Sequence, residues 1–139
     1  MENKFEIRYT IGIIVQRIFL LDEILKGETM GRFLNPDNSS FQDVINSEIY
    51  VDKTELLNYT NEWLGTPRNC IAVSHARRFG KSHAAGMIDA YYSLGCDSTD
   101  IFAGTRIETY SDYKKYMNKY NVIHVDVSTF WDSYKDNLN

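Results

Sequence analysis

The chain has 139 residues, 43% of them hydrophobic and 24% charged, with a formal net charge of −4. That length supports one hydrophobic core and not two domains. The composition is that of a folded globular protein, and the acidic balance argues against a general nucleic-acid coat.

Residues 9–25 are rich in apolar side chains, but Gln16, Arg17, Asp22 and Glu23 interrupt the run, so it is not read as a membrane span. The start is mixed in charge and no small-residue cleavage site follows, so no signal peptide is read and the cytoplasm is the expected location. Ile11, Ile14, Ile18, Leu21 and Leu25 recur at helical spacing, with Gly27 placed to end the helix. Asn35-Pro36-Asp37-Asn38-Ser39-Ser40 reads as a polar loop, and 41–45 as a short helix. Asp52 with Glu55 three positions on has the spacing of a capping box. The helix it starts would carry Leu56, Thr60, Trp63 and Leu64 on one face. Asp52 and Lys53 are read either as functional or as a cap beside a solvated lysine.

Gly65-Thr66-Pro67 breaks the chain before an apolar run, Cys70-Ile71-Ala72-Val73. Residues 69–73 are expected as the first core strand. Ser74-His75-Ala76-Arg77-Arg78-Phe79-Gly80-Lys81-Ser82 follows, and then a helical pattern over 81–94. A strand, a loop ending Gly-Lys-Ser and a helix is the context of a phosphate-binding loop. The helix start offers unpaired N–H groups and the positive end of its dipole. His75, Ala76, Arg77, Arg78, Phe79, Gly80, Lys81 and Ser82 are the candidate binding residues. Gly80 would admit a phosphate close to the backbone, Lys81 would reach the outer phosphates, and the Ser82 hydroxyl would hold magnesium. His75 stands where the general pattern has its first glycine. The competing reading is a basic helix cap that binds nothing.

Arg77, Arg78 and Lys81, with His75 and His83 beside them, form a basic cluster in an acidic chain, which suits a small polyanion such as a nucleotide. Ala84, Ile88, Tyr91 and Tyr92 are expected to face the core from the helix. Gly86 costs that helix about 1 kcal/mol relative to alanine, and Gly95 is a natural stop. Cys70 and Cys96 have neither a zinc nor a disulfide spacing; Cys70 is expected as a buried thiol. His75, His83 and His124 make no recognisable metal set.

A further helix is expected over 111–120, its Tyr113, Tyr116, Met117 and Tyr120 stripe serving core packing rather than base stacking. Residues 122–127 are expected as a second strand, parallel to 69–73 in the same sheet, with the intervening helices as the crossover. Strand, helix and strand imply a three-layer α/β fold of the P-loop type with parallel strands, incomplete at its C-terminal side.

The loop resembles that of the bacterial AAA-ATPase-like proteins, in which a P-loop ATPase domain is commonly followed by a PD-(D/E)XK nuclease domain. That family also lacks the first glycine; Ala76 replaces its usual proline. Asn46-Ser47-Glu48-Ile49-Tyr50-Val51-Asp52-Lys53-Thr54 resembles the family's Tyr-Val-Asp-Lys-Thr box. Ala90-Tyr91-Tyr92-Ser93-Leu94-Gly95-Cys96-Asp97-Ser98, Ile101-Phe102-Ala103-Gly104 and Tyr120-Asn121-Val122-Ile123-His124-Val125-Asp126 resemble the segments after its loop. The resemblance covers 30–131 and implies ATP and Mg2+ as ligands.

An NTPase also needs an acidic residue at the end of a second strand, usually with a neighbouring carboxylate. Asp126 is the one tempting residue, and Val127 follows it. The resemblance places the Asp-Glu pair on a later strand. The catalytic residues are therefore unassigned. Two readings stand: an ATP-binding ATPase part with little or no hydrolysis alone, or a non-catalytic protein acting through a partner or a second copy of itself. Direct nucleic-acid binding through Arg77 and Arg78 is a weaker third.

Residues 30–139 form the family-like portion, and 1–29 an N-terminal extension. Met30-Gly31-Arg32-Phe33-Leu34-Asn35-Pro36 resembles the family's own start. Lys26-Gly27-Glu28-Thr29 permit the codons AAGGAGA, a purine-rich ribosome-binding site, just before Met30. A translated leader and a true accessory helix are both compatible with 1–29.

Overall fold

The computed structural model describes residues 14–15, 34–67, 69–74, 76 and 78–126. In chain order these form strand β1 (Ile14–Val15) and helices α1 (Ser39–Ile45), α2 (Glu55–Trp63), α3 (Lys81–Tyr92) and α4 (Thr99–Phe102). A 3-10 helix (Arg106–Thr109), helix α5 (Tyr113–Tyr116) and strand β2 (Val122–Ile123) follow.

The packing is set by α3. Its residues from Ala85 through Tyr92 are all buried. Ile88, Tyr91 and Tyr92 face the core as their spacing predicts, but burial runs round the helix rather than along one stripe, and Ala84 is only half-buried. A helix can be enclosed this way only if neighbours come close on several sides. On one side α1 does so over Gly86, where an added Cβ would lie 3.1 Å from Ser40 Oγ. On another, Tyr91 and Tyr92 meet α2: Tyr92 donates to Asn61 Oδ1 at 2.6 Å, its hydroxyl lies 2.6 Å from Thr60 Oγ1, and Asn61 Nδ2 donates to the Tyr91 hydroxyl at 3.1 Å. Tyr91 in turn donates to the Tyr113 carbonyl. Phe41, Leu57, Ile101, Phe102, Ile107, Met117 and Val122 complete the buried cluster.

The end of α3 is closed by a residue distant in sequence. Asn118, at a left-handed φ of 55°, donates through Nδ2 to the carbonyls of Ala90 (3.1 Å) and Ser93 (3.0 Å). Its N–H donates to the Tyr91 carbonyl at 2.7 Å, and its Oδ1 accepts from Ser98 N–H at 3.1 Å. Carbonyls left over at a helix end need such partners when buried. This use of Asn118 ends α5 early: Met117 is extended (ψ 126°) and the helix expected over 111–120 is only Tyr113–Tyr116. The tyrosine stripe packs as expected. Tyr113 is buried, while Tyr116 and Tyr120 pack against the buried cluster, Tyr120 edge-on to Tyr92 at 5.7 Å.

Three segments begin with one device. Asp37, Asp52 and Asp97 each accept a hydrogen bond from the backbone N–H two residues on, at Ser39 (3.1 Å), Thr54 (2.8 Å) and Thr99 (3.1 Å). Asx turns of this kind compete with helix and so mark its start. Asp52 is therefore not the cap of a capping box: Thr54 occupies the N-cap position, with no side-chain cap bond. The inner face of α2 is accordingly Leu57, Thr60 and Asn61, whereas Leu56, Trp63 and Leu64 are half-buried.

The strands depart from expectation. β2 pairs antiparallel with β1, with Ile14 opposite Ile123 and Val15 opposite Val122. On its other side Asn35 N–H donates to the Val122 carbonyl and Asn35 Oδ1 accepts from Val122 N–H, both at 2.7 Å. Both sides of β2 are thus occupied. Residues 69–73 form no strand, and no described segment pairs with them. Cys70, expected in the core, is exposed for the same reason. At Ile14 and Val15 the backbone is a strand rather than the helix expected over 11–25. The rest of that helix, Met30 and the division at residue 30 lie outside the described residues, as does Val127.

Replacing Tyr92 by Phe strands Asn61 Oδ1 in the core, while the Thr60 hydroxyl keeps the Leu57 carbonyl. It is expected to lower unfolding free energy by about 1–3 kcal/mol, measured by urea denaturation; an unchanged midpoint would contradict the described network.

Candidate functional site

The loop before α3 is built on left-handed backbone. Gly80, the residue before the helix, has φ 77° and ψ 28°, and no side chain caps the helix start. Arg78 is also left-handed, at φ 67°. For a residue with a Cβ this conformation costs roughly 1–2 kcal/mol. Such strain clusters where a backbone shape is needed for binding. Left-handed residues in a turn also let successive N–H groups converge on an anion.

Two lysines from different parts of the chain meet this loop. Lys81 Nζ reaches back to the Ala76 carbonyl at 2.9 Å. Lys53 Nζ donates to the Phe79 carbonyl, also at 2.9 Å. A Cβ on Gly80 would lie 3.3 Å from Lys53 Nζ and 3.9 Å from His83 Nδ1, so glycine serves both the positive φ and the close approach. Ser82 and Arg78 are exposed, as is Phe79. Of the candidate residues, Ala76, Arg78, Phe79, Gly80, Lys81 and Ser82 are thus brought together in one turn. His75 and Arg77 lie outside the described residues. A cavity of about 290 Å3 adjoins the turn, and its lining includes Lys53, Arg78, Phe79, Gly80 and His83 as well as Val44, Ile49, Val51 and Met87.

Lys53 is placed by its neighbours. Thr54 is fully buried, and its hydroxyl accepts from Ile107 N–H at 3.0 Å while donating to Asp52 Oδ1 at 2.7 Å. Asp52 Oδ2 accepts from Arg106 N–H at 2.8 Å. Both residues flanking Lys53 are therefore tied to the 3-10 helix. The Asp-Lys-Thr triplet is visible in the sequence, but its contact with the loop, 26 residues away, is not.

The carboxylates have opposite characters. Burial would raise the Asp52 carboxyl, but hydrogen bonds from Thr54 and Arg106 outweigh it and hold the group below its ordinary 3.8. Asp89, inside α3, is raised above 3.8 by burial, which its contact with His124 only partly offsets. One Asp89 oxygen faces His124 Nδ1 and the other, Oδ1, has no hydrogen-bond partner. Burial, reinforced by Asp52, pushes the Tyr50 hydroxyl up to about 12.

The metal question is narrower. The Ser82 hydroxyl is exposed in the first turn of α3, where it can supply one ligand to a magnesium ion whose others are phosphate oxygens and water. Among the described residues no group of three His, Cys, Asp or Glu side chains is placed to hold a metal alone. Asp126 is exposed beyond β2. No helix among the described residues is long and apolar enough to cross a membrane.

The two aspartates give opposite pH signatures. Asp52 stabilises above 3.8, and its contribution is lost as the pH falls below that value; Asp52→Asn should be less stable than wild type at pH 7, the gap closing in acid. Ionising Asp89 costs stability as the pH rises above 3.8; Asp89→Asn should gain on wild type over that range and then level off. Denaturation series from pH 3 to 7 check both, and parallel profiles for the two variants would contradict the assignment. Separately, Arg78→Gly is expected to raise stability by up to about 1 kcal/mol by relieving the left-handed backbone. A lower melting temperature would count against that strain.

The family described as predicted AAA-ATPase, AAA-ATPase-like, matches residues 38–139. No curated protein and no solved structure matches the chain.

Proposed function

We propose, from the premise that the chain belongs to the AAA-ATPase-like family of predicted AAA-ATPases, that it binds ATP with Mg2+ on the loop 75–82. The observation that carries this reading is the turn itself. A left-handed Gly80 opens an uncapped twelve-residue helix, and Lys81 folds back over the loop to the Ala76 carbonyl. In this arrangement the N–H groups of Gly80, Lys81 and Ser82 and the Lys81 ammonium hold the phosphates, and the Ser82 hydroxyl orients the magnesium ion. The bound metal neutralises charge on the outer phosphates. Lys81 gives up its carbonyl partner for a phosphate oxygen when the nucleotide enters.

Turnover by residues 1–139 is negligible in this reading. Hydrolysis needs a carboxylate at a strand end beside the loop to position magnesium and another to orient water. Asp126 has Val127 after it, not a second acid. The expected parallel three-layer core stays part of the proposal, with 69–73 as the strand that feeds the loop.

One observation favours the second reading, a protein that acts through a partner. Residues 69–74 are exposed or half-buried, and no described strand pairs with them. A segment whose backbone no strand pairs is a template for another chain or a second copy.

Calorimetric titration with Mg-ATP tests the nucleotide reading. Wild type should bind, and Lys81→Ala should bind at least about 30-fold more weakly, the ratio given by losing one charge-assisted hydrogen bond of about 2 kcal/mol. Equal affinity of the two proteins would overturn the site. Phosphate release at the rate of an ordinary ATPase, abolished in Lys81→Ala, would overturn the claim of negligible turnover.

A further inference from the structure

Lys53 lies 26 residues before the carbonyl it holds, outside the loop 75–82. Its ammonium donates to the Phe79 carbonyl, which belongs to the same peptide unit as the Gly80 N–H. No described peptide bond is cis. In a planar trans peptide the C=O and the N–H point in opposite directions. A lysine that fixes the Phe79 carbonyl on its own side therefore turns the Gly80 N–H to the other side.

This control matters at Gly80 more than elsewhere in the loop. Glycine populates φ of either sign about equally, so the 79–80 peptide can rotate between orientations at little cost. Arg78, on the other side of the unit, is already held in a left-handed conformation. Lys53 supplies, from outside the loop, a charge-assisted hydrogen bond that bears on which way this peptide faces. Lys53 is suited to the task because its own backbone is anchored. Asp52 binds Arg106 N–H at 2.8 Å, and the buried Thr54 hydroxyl accepts from Ile107 N–H at 3.0 Å.

We propose that Lys53 is a positioning residue for the anion site, locking the Phe79–Gly80 peptide so that the Gly80 N–H faces the bound phosphate. The inference rests on the reading of loop 75–82 as a phosphate site. It assigns to the Asp52-Lys53-Thr54 triplet the work of orienting that loop from the 3-10 helix. The ligand class it serves is a polyphosphate, and its contribution scales with contacts to phosphate rather than to a base.

The test has two arms on the full chain, with wild type, Lys53→Met and Lys53→Arg. In the first, without ligand, the Phe79 carbonyl 13C and Gly80 amide 15N resonances are compared. Lys53→Met should shift both, and Lys53→Arg, which keeps a donor, should restore most of the wild-type values. Unchanged resonances in Lys53→Met overturn the lock whatever the protein binds. In the second arm, Mg-ATP and magnesium pyrophosphate are titrated calorimetrically. Lys53→Met should lose about tenfold in affinity for both, equivalent to about 1.4 kcal/mol, and Lys53→Arg should recover most of it. Equal affinities of Lys53→Met and wild type overturn the role in binding while leaving the phosphate site intact. A wild-type protein that binds neither ligand overturns the phosphate reading and this inference with it. Because Lys53 is exposed, the melting temperature of Lys53→Met should match wild type; a large drop, with affinity lost in step, would show a merely structural role.

Discussion

Complete enclosure of the second half of α3 is the constraint on which the rest depends. A helix buried on every side from Ala85 through Tyr92 cannot move without disturbing α1, α2 and the segment 118–122 together. Its tyrosine hydroxyls and its last carbonyls must then find partners inside the protein. The tyrosine hydroxyls bind Thr60, Asn61 and the Tyr113 carbonyl, and Asn118 binds the last carbonyls. The other end of the helix is left to the loop. There the burial stops, no side chain supplies a cap, and Lys81 and Ser82 stand at the surface or near it. A rigid helix with one end sealed and the other presented to solvent is a sound mount for an anion site.

The second theme is that the loop is shaped from outside as well as from within. Lys81 ties one loop carbonyl and Lys53 another, each at 2.9 Å. The segment carrying Lys53 is itself bound to the 3-10 helix through Asp52 and Thr54. Polar contacts thus run from Arg106 and Ile107, through Asp52 and Thr54, to Lys53 and the Phe79 carbonyl. The exposed ion pair of Arg106 with Glu55 at 3.1 Å adds little to this, because solvent screens such pairs. The network is held by neutral and charge-assisted hydrogen bonds, buried where Ile107 meets Thr54 and exposed where Arg106 meets Asp52 and Lys53 meets Phe79.

Local features of this architecture were legible in the sequence and long-range ones were not. The helix from Lys81 was readable from Gly-Lys-Ser and the apolar residues after it, and the structure ends it at Tyr92. The burial of Tyr113 and Met117 matches the expected stripe, although Met117 lies beyond the end of α5. Asp37, Asp52 and Asp97 each stand two residues before a Ser or Thr, a signal for the Asx turns that was present but read at Asp52 as a capping box three residues long. The shortness of α5 depended on Asn118 serving α3, a contact about 25 residues away in sequence. Lys53 was open to two readings because the only thing that separates them is its distance to Phe79. The strand expected over 69–73 finds no partner among the described residues, for a different reason. Apolar β-branched residues favour extended backbone, but a strand exists only where a partner's edge is available, and β2 is flanked by β1 and Asn35.

The central claim is that the turn before α3 holds nucleotide phosphates. The most direct measurement is a crystal structure of the chain with a magnesium-bound, non-hydrolysable ATP analogue. The account predicts the outer phosphates within hydrogen-bond distance of Lys81 Nζ and of the Gly80 to Ser82 N–H groups, with the metal on Ser82 Oγ and Lys81 released from the Ala76 carbonyl. Analogue bound away from this turn, or a turn that keeps its Lys81–Ala76 bond with nothing between the N–H groups, would contradict it.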